Sequence, residues 1–273
     1  MPIYKLDDGS HLYGKDYLPY LEDSGRVAYL VLKELLKNAQ EGITTQELDK
    51  IAEDEISKHK AEPLFKGFDT YPFTTCLSYN EYIVHGFPSD YKLKKGDVIS
   101  IDVGVKYNGF CGDNARTIII GGPENSIHKR LVEVAEEAFN SGLSQAYAGR
   151  TIGDIGFAIH STVLKEEDPN SEDPNMNSKF KVFFKFQGHG IGLNLHEPPD
   201  VPNIGYPSHG SILQVGNCIC IEPVVLYRSS EPVIRNSNIT SVLEFFTDNM
   251  LPSSHHENQI YISESGPIIL TKD

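Results

Sequence analysis

The chain has 273 residues, enough to bury a large core in one large domain or in two smaller ones. Its net charge of -14 repels phosphate backbones, so we expect no direct nucleic-acid partner. No stretch approaches the roughly 20 apolar residues of a membrane span, and residues 1–8 lack the order of a signal peptide. We therefore expect a cytoplasmic protein without a membrane partner, and its four cysteines are too few to predict a disulfide framework.

Two helices are predicted before residue 62. Apolar residues recur at helical spacing between Gly25 and Lys37, which indicates a helix with one buried face. Thr44 is followed three residues later by Glu47, and this capping-box pattern predicts the start of a second helix. The first part of the chain is therefore predicted to form a helical pair.

A β-hairpin is predicted between residues 97 and 120. Two strands flank an Asn-Gly pair at positions 108 and 109, which is the strongest short signal for a two-residue hairpin turn. Such a turn fixes the register, so that Asp102 faces Ala115 and Gly104 faces Asp113. The two aspartates then lie on one face as diagonal neighbours, roughly 7–8 Å apart. Gly104 is expected to leave the space beside them open.

Asp102 lies in the stretch Val-Ile-Ser-Ile-Asp-Val at 98–103, which is too apolar for a strand that faces water on both sides. Burying two unpaired carboxylates has a large free-energy cost. A buried hydrogen-bonded pair is one explanation, but a cation bound between Asp102 and Asp113 accounts for both charges. The sequence therefore favours a metal site on this hairpin.

The second half of the chain repeats the layout of the first. A helical pattern follows Ser126, and Thr151 with Asp154 then repeats the capping pattern. The strand at 216–222 resembles the strand at 96–102, and each ends in a carboxylate. We predict one catalytic domain, 1–273, with an internal pseudo-repeat of about 20–125 and 126–273. The polar stretch 166–178 is expected to be a surface loop.

Further candidate ligands lie in the second half. Glu222 ends an apolar strand, and Glu257 precedes another. His189 and His196 lie in a Gly- and Pro-rich segment, which excludes the paired-histidine helix of zinc proteases. Two histidines with four acids form an oxygen-rich set that suits Mn, Fe(II) or Co better than a thiolate zinc site does.

Several motifs together resemble the methionine aminopeptidases over nearly the whole chain. Residues 78–86, Ser-Tyr-Asn-Glu-Tyr-Ile-Val-His-Gly, are similar to the family's Ser-x-Asn-Glu-x-x-x-His-Gly segment. Gly-His-Gly at 188–190 and Ile-Glu-Pro at 221–223 follow in the family's order. The resemblance implies an α+β pita-bread fold, in which two pseudo-symmetric α/β halves form an antiparallel sheet with helices on its outer face. It favours the shorter type I enzymes.

The resemblance also implies the reaction and its residues. The enzyme is expected to remove the N-terminal methionine from nascent or free polypeptides. We expect it to be a monomer and to meet nascent chains near the ribosome. Two divalent ions, Mn, Fe(II) or Co with Zn as a further candidate, would activate water. The implied metal ligands are Asp102, Asp113, His189, Glu222 and Glu257. Among these, Asp113 and Glu257 would be the two bridging acids.

The remaining roles come from the same resemblance. Glu222 would take the proton of the water, His196 would hydrogen-bond the carbonyl oxygen, and His85 would serve the scissile nitrogen. Both histidines would touch the substrate. The methionine pocket is expected to contain Phe65, Phe68, Tyr71 and Cys76, because aromatic rings and a thiol suit a thioether.

Three other interpretations remain open from the sequence. Gly104, Arg116-Thr117 and residues 195–199 also resemble the Xaa-Pro aminopeptidases and prolidases, which usually carry a separate amino-terminal domain. A cysteine hydrolase with Cys111 or Cys76 as nucleophile is a second interpretation, although it leaves the strand acids unexplained. A metal-free interaction module is the third.

Overall fold

The computed structural model of this protein describes residues 3–168, 177–237 and 239–273. Most of the predicted surface loop at 166–178 lies outside these residues. The helices are α1 (Leu18–Asn38), α2 (Thr45–Lys58), α3 (Ser126–Leu143) and α4 (Ile152–Leu164). Among the described residues, no helix combines the length and the apolar character that crossing a membrane requires.

The strands are mostly short, and β6 and β7 are the longest. They are β1 (Tyr4–Lys5), β2 (His11–Leu12), β3 (Glu62–Pro63), β4 (Thr75–Tyr79), β5 (Tyr82–Val84), β6 (Val98–Tyr107), β7 (Phe110–Ile119), β8 (Phe180–Val182), β9 (Gly188–Gly190), β10 (Glu197–Val201), β11 (Cys218–Ile221), β12 (Val224–Tyr227), β13 (Pro232–Asn236), β14 (Leu243–Thr247), β15 (Ser253–His255), β16 (Glu257–Ser263) and β17 (Gly266–Ile269).

A nine-stranded sheet forms the centre of the fold. Its strands pair in the order β10, β9, β11, β16, β7, β6 and β3, while β4 also pairs with β6 and β17 pairs with β16. Every pairing in this sheet is antiparallel. The remaining strands form small sheets: β1 with β2, β12 between β15 and β8, and β14 between β13 and β5. The predicted α+β class with an antiparallel sheet is confirmed.

The predicted helix starts at Thr44 and Thr151 are confirmed by their hydrogen bonds. The Thr44 hydroxyl accepts from the Glu47 backbone N–H at 3.1 Å, and the Glu47 carboxylate accepts from the Thr44 N–H at 2.8 Å. Thr151 and Asp154 make the same two bonds at the start of α4. Each capping box satisfies backbone donors that the first helical turn leaves without partners.

The helices cover one face of the central sheet. On that face α1 and α2 pack on alternate residues of β6, including Ile99 and Ile101, which are fully buried. The other pair, α3 and α4, packs on Ile219 and Ile221 of β11 and on Ile260 of β16. Because side chains alternate along a strand, the residues between these isoleucines project from the opposite face. That opposite face is where the predicted site residues lie.

The hairpin register is as predicted, but the space beside Gly104 is not open. Asp102 pairs with Ala115, and Gly104 pairs with Asp113. The turn residues at 108 and 109 both have positive φ, 50° and 85°, which the tight hairpin turn requires. A Cβ on Gly104 would lie 2.7 Å from Cε1 of Phe65, so the ring of Phe65 fills the room that the glycine leaves.

Candidate active site

Three carboxylates form a cluster across three neighbouring strands. Ala115 of β7 pairs with Asp102 of β6 on one side and with Glu257 of β16 on the other. The small alanine side chain therefore separates two acids that lie in one row across the sheet. Asp113 precedes Ala115 by two residues and projects from the same face, diagonal to both acids.

The next two strands bring the remaining predicted ligands to the same place. Ile221 of β11 pairs with Asn258, so that Glu222 emerges beside Glu257. Gly190 of β9 pairs with Ile219 of β11, which brings His189 to the other side of Glu222. The His189 Nε2 atom lies 3.5 Å from Oε1 of Glu222. The five predicted ligands thus lie on or beside five consecutive strands.

All of the residues predicted for the site line one cavity of about 560 Å³. The five candidate ligands lie at its floor, on the face opposite the helices. Phe65, Tyr71 and Cys76 are buried in its wall, while Phe68 is 39% exposed. The predicted site residues in the lining are Phe65, Phe68, Tyr71, Cys76, His85, Asp102, Asp113, His189, His196, Glu222 and Glu257.

The buried acids repel one another in the absence of a cation. Burial, and after it the charges of neighbouring carboxylates, raises the pKa of Asp102, Asp113 and Glu257 well above the usual range. Burial also raises the pKa of Glu222 to about 8. A cluster of this kind is costly to ionise unless a positive charge is present.

The cluster also has unused ligand atoms. Asp102 Oδ1, Asp113 Oδ1 and Glu257 Oε1 are buried and find no hydrogen-bond partner within the described part of the chain. Buried carboxylate oxygens without partners are rare in folded proteins, because each has lost its hydration. Divalent ions would supply the missing interactions, and oxygen donors with one imidazole suit Mn, Fe(II) or Co. The residues present therefore fit a divalent metal centre.

The sequence did not identify Cys220 and His255 as neighbours of the acid cluster. Atoms of Asp113, His189, Cys220 and Glu257 lie within 4.8 Å of one another, which adds a buried thiol to the candidate ligands. His255 Nε2 lies 3.6 Å from a carboxylate oxygen of Glu222 and 3.9 Å from one of Glu257. Strand alternation was a signal for Cys220 alone, which precedes Glu222 by two residues, whereas His255 ends β15 and pairs with Val224 of β12, so its place depends on strand pairing.

The two predicted substrate-binding histidines line the same cavity as the acid cluster. The ring centroid of His196 lies 4.4 Å from that of His189 and 5.2 Å from that of Phe68. His85 packs edge-on against Phe186 at 4.8 Å. Burial lowers the pKa of His196 and lowers that of His85 to about 4, so both rings are neutral near pH 7. A neutral imidazole can donate one hydrogen bond to a substrate atom.

The loop that carries His196 is held by a buried hydrogen-bond network that the sequence did not predict. The Tyr13 hydroxyl donates to the Glu197 carboxylate at 2.8 Å and accepts from the Leu193 N–H at 3.0 Å. His11 Nδ1 lies 2.9 Å from the same carboxylate. The segment with His11 and Tyr13 thereby holds the loop in place.

Burial argues against thiol chemistry. It raises the pKa of Cys76 well above the usual range and that of Cys111 to about 12. The thiolate, which is the nucleophilic form, is therefore scarce at neutral pH for both residues. The cysteine-hydrolase interpretation is disfavoured for this reason.

Comparison with known proteins identifies the family. The model of metallopeptidase family M24 matches residues 20–264. The chain belongs to metallopeptidase family M24. This M24 chain is 38% identical over 260 residues to the methionine aminopeptidase of Clostridium perfringens, with 95% of this chain and 98% of that protein covered. Its fold matches the crystal structure of methionine aminopeptidase from Thermotoga maritima with a TM-score of 0.85 and 31% identity, covering 97% and 100% of the two chains.

A prolidase shares the M24 fold at greater distance. The prolidase from Pyrococcus furiosus matches with a TM-score of 0.71 and 21% identity, covering 96% of this chain but 65% of that one. This likeness concerns the fold alone. These comparisons confirm the pita-bread fold and the methionine aminopeptidase resemblance, and they favour that resemblance over the Xaa-Pro alternative. Membership of M24 also identifies divalent metal ions as the cofactor class.

Proposed function

We propose that this protein is a metalloaminopeptidase that removes the N-terminal methionine from proteins and peptides. The observation that carries the proposal is the meeting of four acids and one histidine on five consecutive strands at the floor of one cavity. Relatives named methionine aminopeptidase, matched over nearly the full length of both chains, support the same reaction.

The acid cluster would hold the metal centre. We propose that Asp102, Asp113, His189, Glu222 and Glu257 would hold two divalent ions. Divalent ions in such a centre supply Lewis acidity, which polarises a carbonyl group and lowers the pKa of water. The unpartnered oxygens of three of these acids support the assignment.

Three side chains would carry out the proton transfers and the hydrogen bonding. Glu222 would take a proton from the attacking water, since it lies beside the other acids at the cavity floor. His196 would donate a hydrogen bond to the carbonyl oxygen as negative charge develops there. His85, which lines the same cavity, would serve the scissile nitrogen. Both histidines are neutral near pH 7, and His196 therefore has one N–H that it can donate to the carbonyl oxygen.

The apolar wall of the cavity would bind the methionine side chain. Phe65, Tyr71 and Cys76 are buried there, and Cys76 pairs with Asp102 across β4 and β6. The pocket would therefore lie next to the metal centre, as cleavage after one residue requires. Phe68 would cover the mouth, where its ring meets His196.

Finer expectations remain predictions. We propose Mn, Fe(II) or Co as the metal, with Zn as a further candidate, because of the oxygen-rich donor set. We also retain the predictions of a cytoplasmic monomer that meets nascent chains near the ribosome, and of one domain with two halves divided near residue 125. Nascent or free polypeptide N-termini are the proposed substrates.

Peptide turnover tests the proposed function. Met-Ala-Ser and Ala-Pro-Ala would be offered to the metal-stripped protein with and without added Mn. Release of methionine from the first peptide alone, abolished by EDTA and restored by Mn, is the expected result. Preferential cleavage of Ala-Pro-Ala would instead favour the Xaa-Pro activity. Activity that resists EDTA but is lost with iodoacetamide would support thiol chemistry.

A further inference from the structure

His255 lies against two candidate ligands without having a role of its own. Its imidazole is buried, with 5% of the side chain exposed. Nε2 lies 3.6 Å from Oε2 of Glu222 and 3.9 Å from Oε2 of Glu257. No hydrogen-bond partner for Nε2 exists among the residues that the structure describes. A buried polar atom aimed at two acids requires an explanation.

The backbone of His255 is firmly held. Its N–H donates to Oγ1 of Thr117 at 2.8 Å, and the same hydroxyl donates to the His255 carbonyl oxygen at 2.9 Å. The Thr117 hydroxyl has only one hydrogen, so Ser100, 2.7 Å away, must be the donor in their shared hydrogen bond. Val224 of β12 pairs with His255 from the other side. The imidazole therefore projects from a rigid base.

The charges of the neighbouring carboxylates determine which tautomer of the His255 imidazole is favoured here. Metal binding ionises both glutamates, and a nitrogen lone pair that faced the two carboxylates would then be repelled, whereas an N–H would be attracted. The distance to Glu222 needs to shorten by about half an ångström to become an ordinary N–H to oxygen hydrogen bond.

We propose that His255 is a positioning residue, whose Nε2–H donates a hydrogen bond to the Glu222 carboxylate, with Glu257 as the second acceptor. The bond fixes the orientation in which both glutamates present oxygens to the metal centre. This inference rests on the proposed function, because it takes both glutamates as metal ligands. A role as a further metal ligand is the rival assignment for His255, and the spectrum of the Co-loaded variants distinguishes the two roles.

Three variants test the proposal. His255→Leu removes the donor and keeps an apolar side chain. His255→Gln places an amide N–H close to the position of Nε2. The matched control is His256→Leu, because His256 is also a buried histidine of this segment but packs on Phe139, with ring centroids 4.9 Å apart. Far-UV circular dichroism of each metal-free variant first establishes that it is folded.

The readouts are the Mn affinity by titration calorimetry and the visible spectrum of the Co-loaded protein. We expect His255→Leu to weaken Mn binding about 10- to 100-fold, which is the usual effect of removing a hydrogen-bond partner of a ligand. On a logarithmic scale of the Mn dissociation constant, His255→Gln is expected to recover more than half of the affinity that His255→Leu loses. The Co spectrum should keep its wild-type form in His255→Gln, and Mn binding should be unchanged in His256→Leu.

Each other outcome overturns the inference. Wild-type affinity in His255→Leu would show that the hydrogen bond has no role, while the metal centre itself would stand. Failure of His255→Gln to restore binding, together with an altered Co spectrum, would make His255 a ligand. Equal losses in His255→Leu and His256→Leu would reduce its role to packing. Absence of Mn and Co binding by the wild-type protein would overturn both the metal centre and this inference.

Discussion

At the scale of single residues, the sequence singled out the candidate ligands more readily than the residues beside them. Asp102 and Glu222 are conspicuous because each is an acid in an apolar strand, and burying an acid needs compensation; Asp113 followed from the register of the hairpin. Cys220 and His255 carry no such conflict in the sequence, since a buried thiol or imidazole is common. Their place beside the acids depends on the pairing of distant strands, which a single sequence does not reveal.

Replacing Asp113 by Asn separates function from stability. The change keeps the shape of the side chain but removes a proposed bridging charge, so we expect turnover of Met-Ala-Ser to fall more than about 100-fold. The metal-free protein should become more stable, because one buried carboxylate no longer repels its neighbours. Peptide turnover and urea unfolding in EDTA measure the two effects. Near wild-type turnover by this variant would show that Asp113 is not a ligand of the metal centre.

Gly104 was predicted to leave open space, yet the ring of Phe65 occupies it. In Gly104→Ala the new Cβ would lie 2.7 Å from that ring, which must move into the cavity. We expect KM for methionine peptides to rise more than kcat falls, and stability to decrease by about 1–3 kcal/mol. Steady-state kinetics and urea unfolding provide the comparison. Adding Phe65→Leu should recover the lost stability, and a lack of recovery would show that the strain lies elsewhere.

At the scale of elements, local signals were enough for helix starts and for one hairpin. The capping boxes at Thr44 and Thr151 and the hairpin turn at 108–109 depend on residues within a few positions of one another, so their chemistry is visible in the sequence. The order of the strands in the sheet is not local. The attachment of the amino-terminal segment to the loop of His196 was missed for the same reason.

The Tyr13 hydroxyl provides a test of that attachment. Tyr13→Phe removes the hydrogen bonds to Glu197 and from the Leu193 N–H, so the loop carrying His196 should become more mobile. We expect a stability loss of about 1–3 kcal/mol, because a buried carboxylate loses a donor. The kcat for Met-Ala-Ser should fall, while Mn affinity should stay at the wild-type value.

Tyr20→Phe is the matched control for this change. Tyr20 stacks on Phe110 at 5.6 Å in the same region, and the residue is 47% exposed. Removing its hydroxyl should leave both stability and kcat unchanged. If Tyr13→Phe weakened Mn binding as much as it lowered kcat, the segment would act on the metal centre and not on the His196 loop.

At the scale of the whole molecule, the fold class and the helix pairs were predictable, whereas the convergence of the site on one sheet was not. The resemblance to a known family supplied the grouping of residues that periodicity alone cannot supply. In the folded protein, β6 and β7 from the first half and β9, β11 and β16 from the second half form one continuous surface. Ions bound on that surface would connect the two halves, so their removal should affect the stability of the whole chain.

The metal-free protein should lose stability as the pH rises. In the unfolded chain the carboxyl groups have ordinary pKa values near 4, but in the folded protein burial raises the pKa of Glu222 to about 8 and raises those of the other three acids as well. Between about pH 4 and pH 8 the folded state therefore binds more protons than the unfolded state. Its free energy of unfolding must then decrease with rising pH across that window.

Urea unfolding in EDTA at about pH 5 and about pH 8 measures this loss, and added Mn should reverse it. Metal binding requires ionised ligands, so Mn should stabilise the protein more at the higher pH. At a Mn concentration of 100 times the Kd for that pH, the stabilisation should be about 2.7 kcal/mol. Asp113→Asn is the control, since it should reduce both the pH dependence and the effect of Mn. A metal-free protein equally stable at both pH values would mean that the acids do not form the mutually repelling cluster on which the metal centre depends.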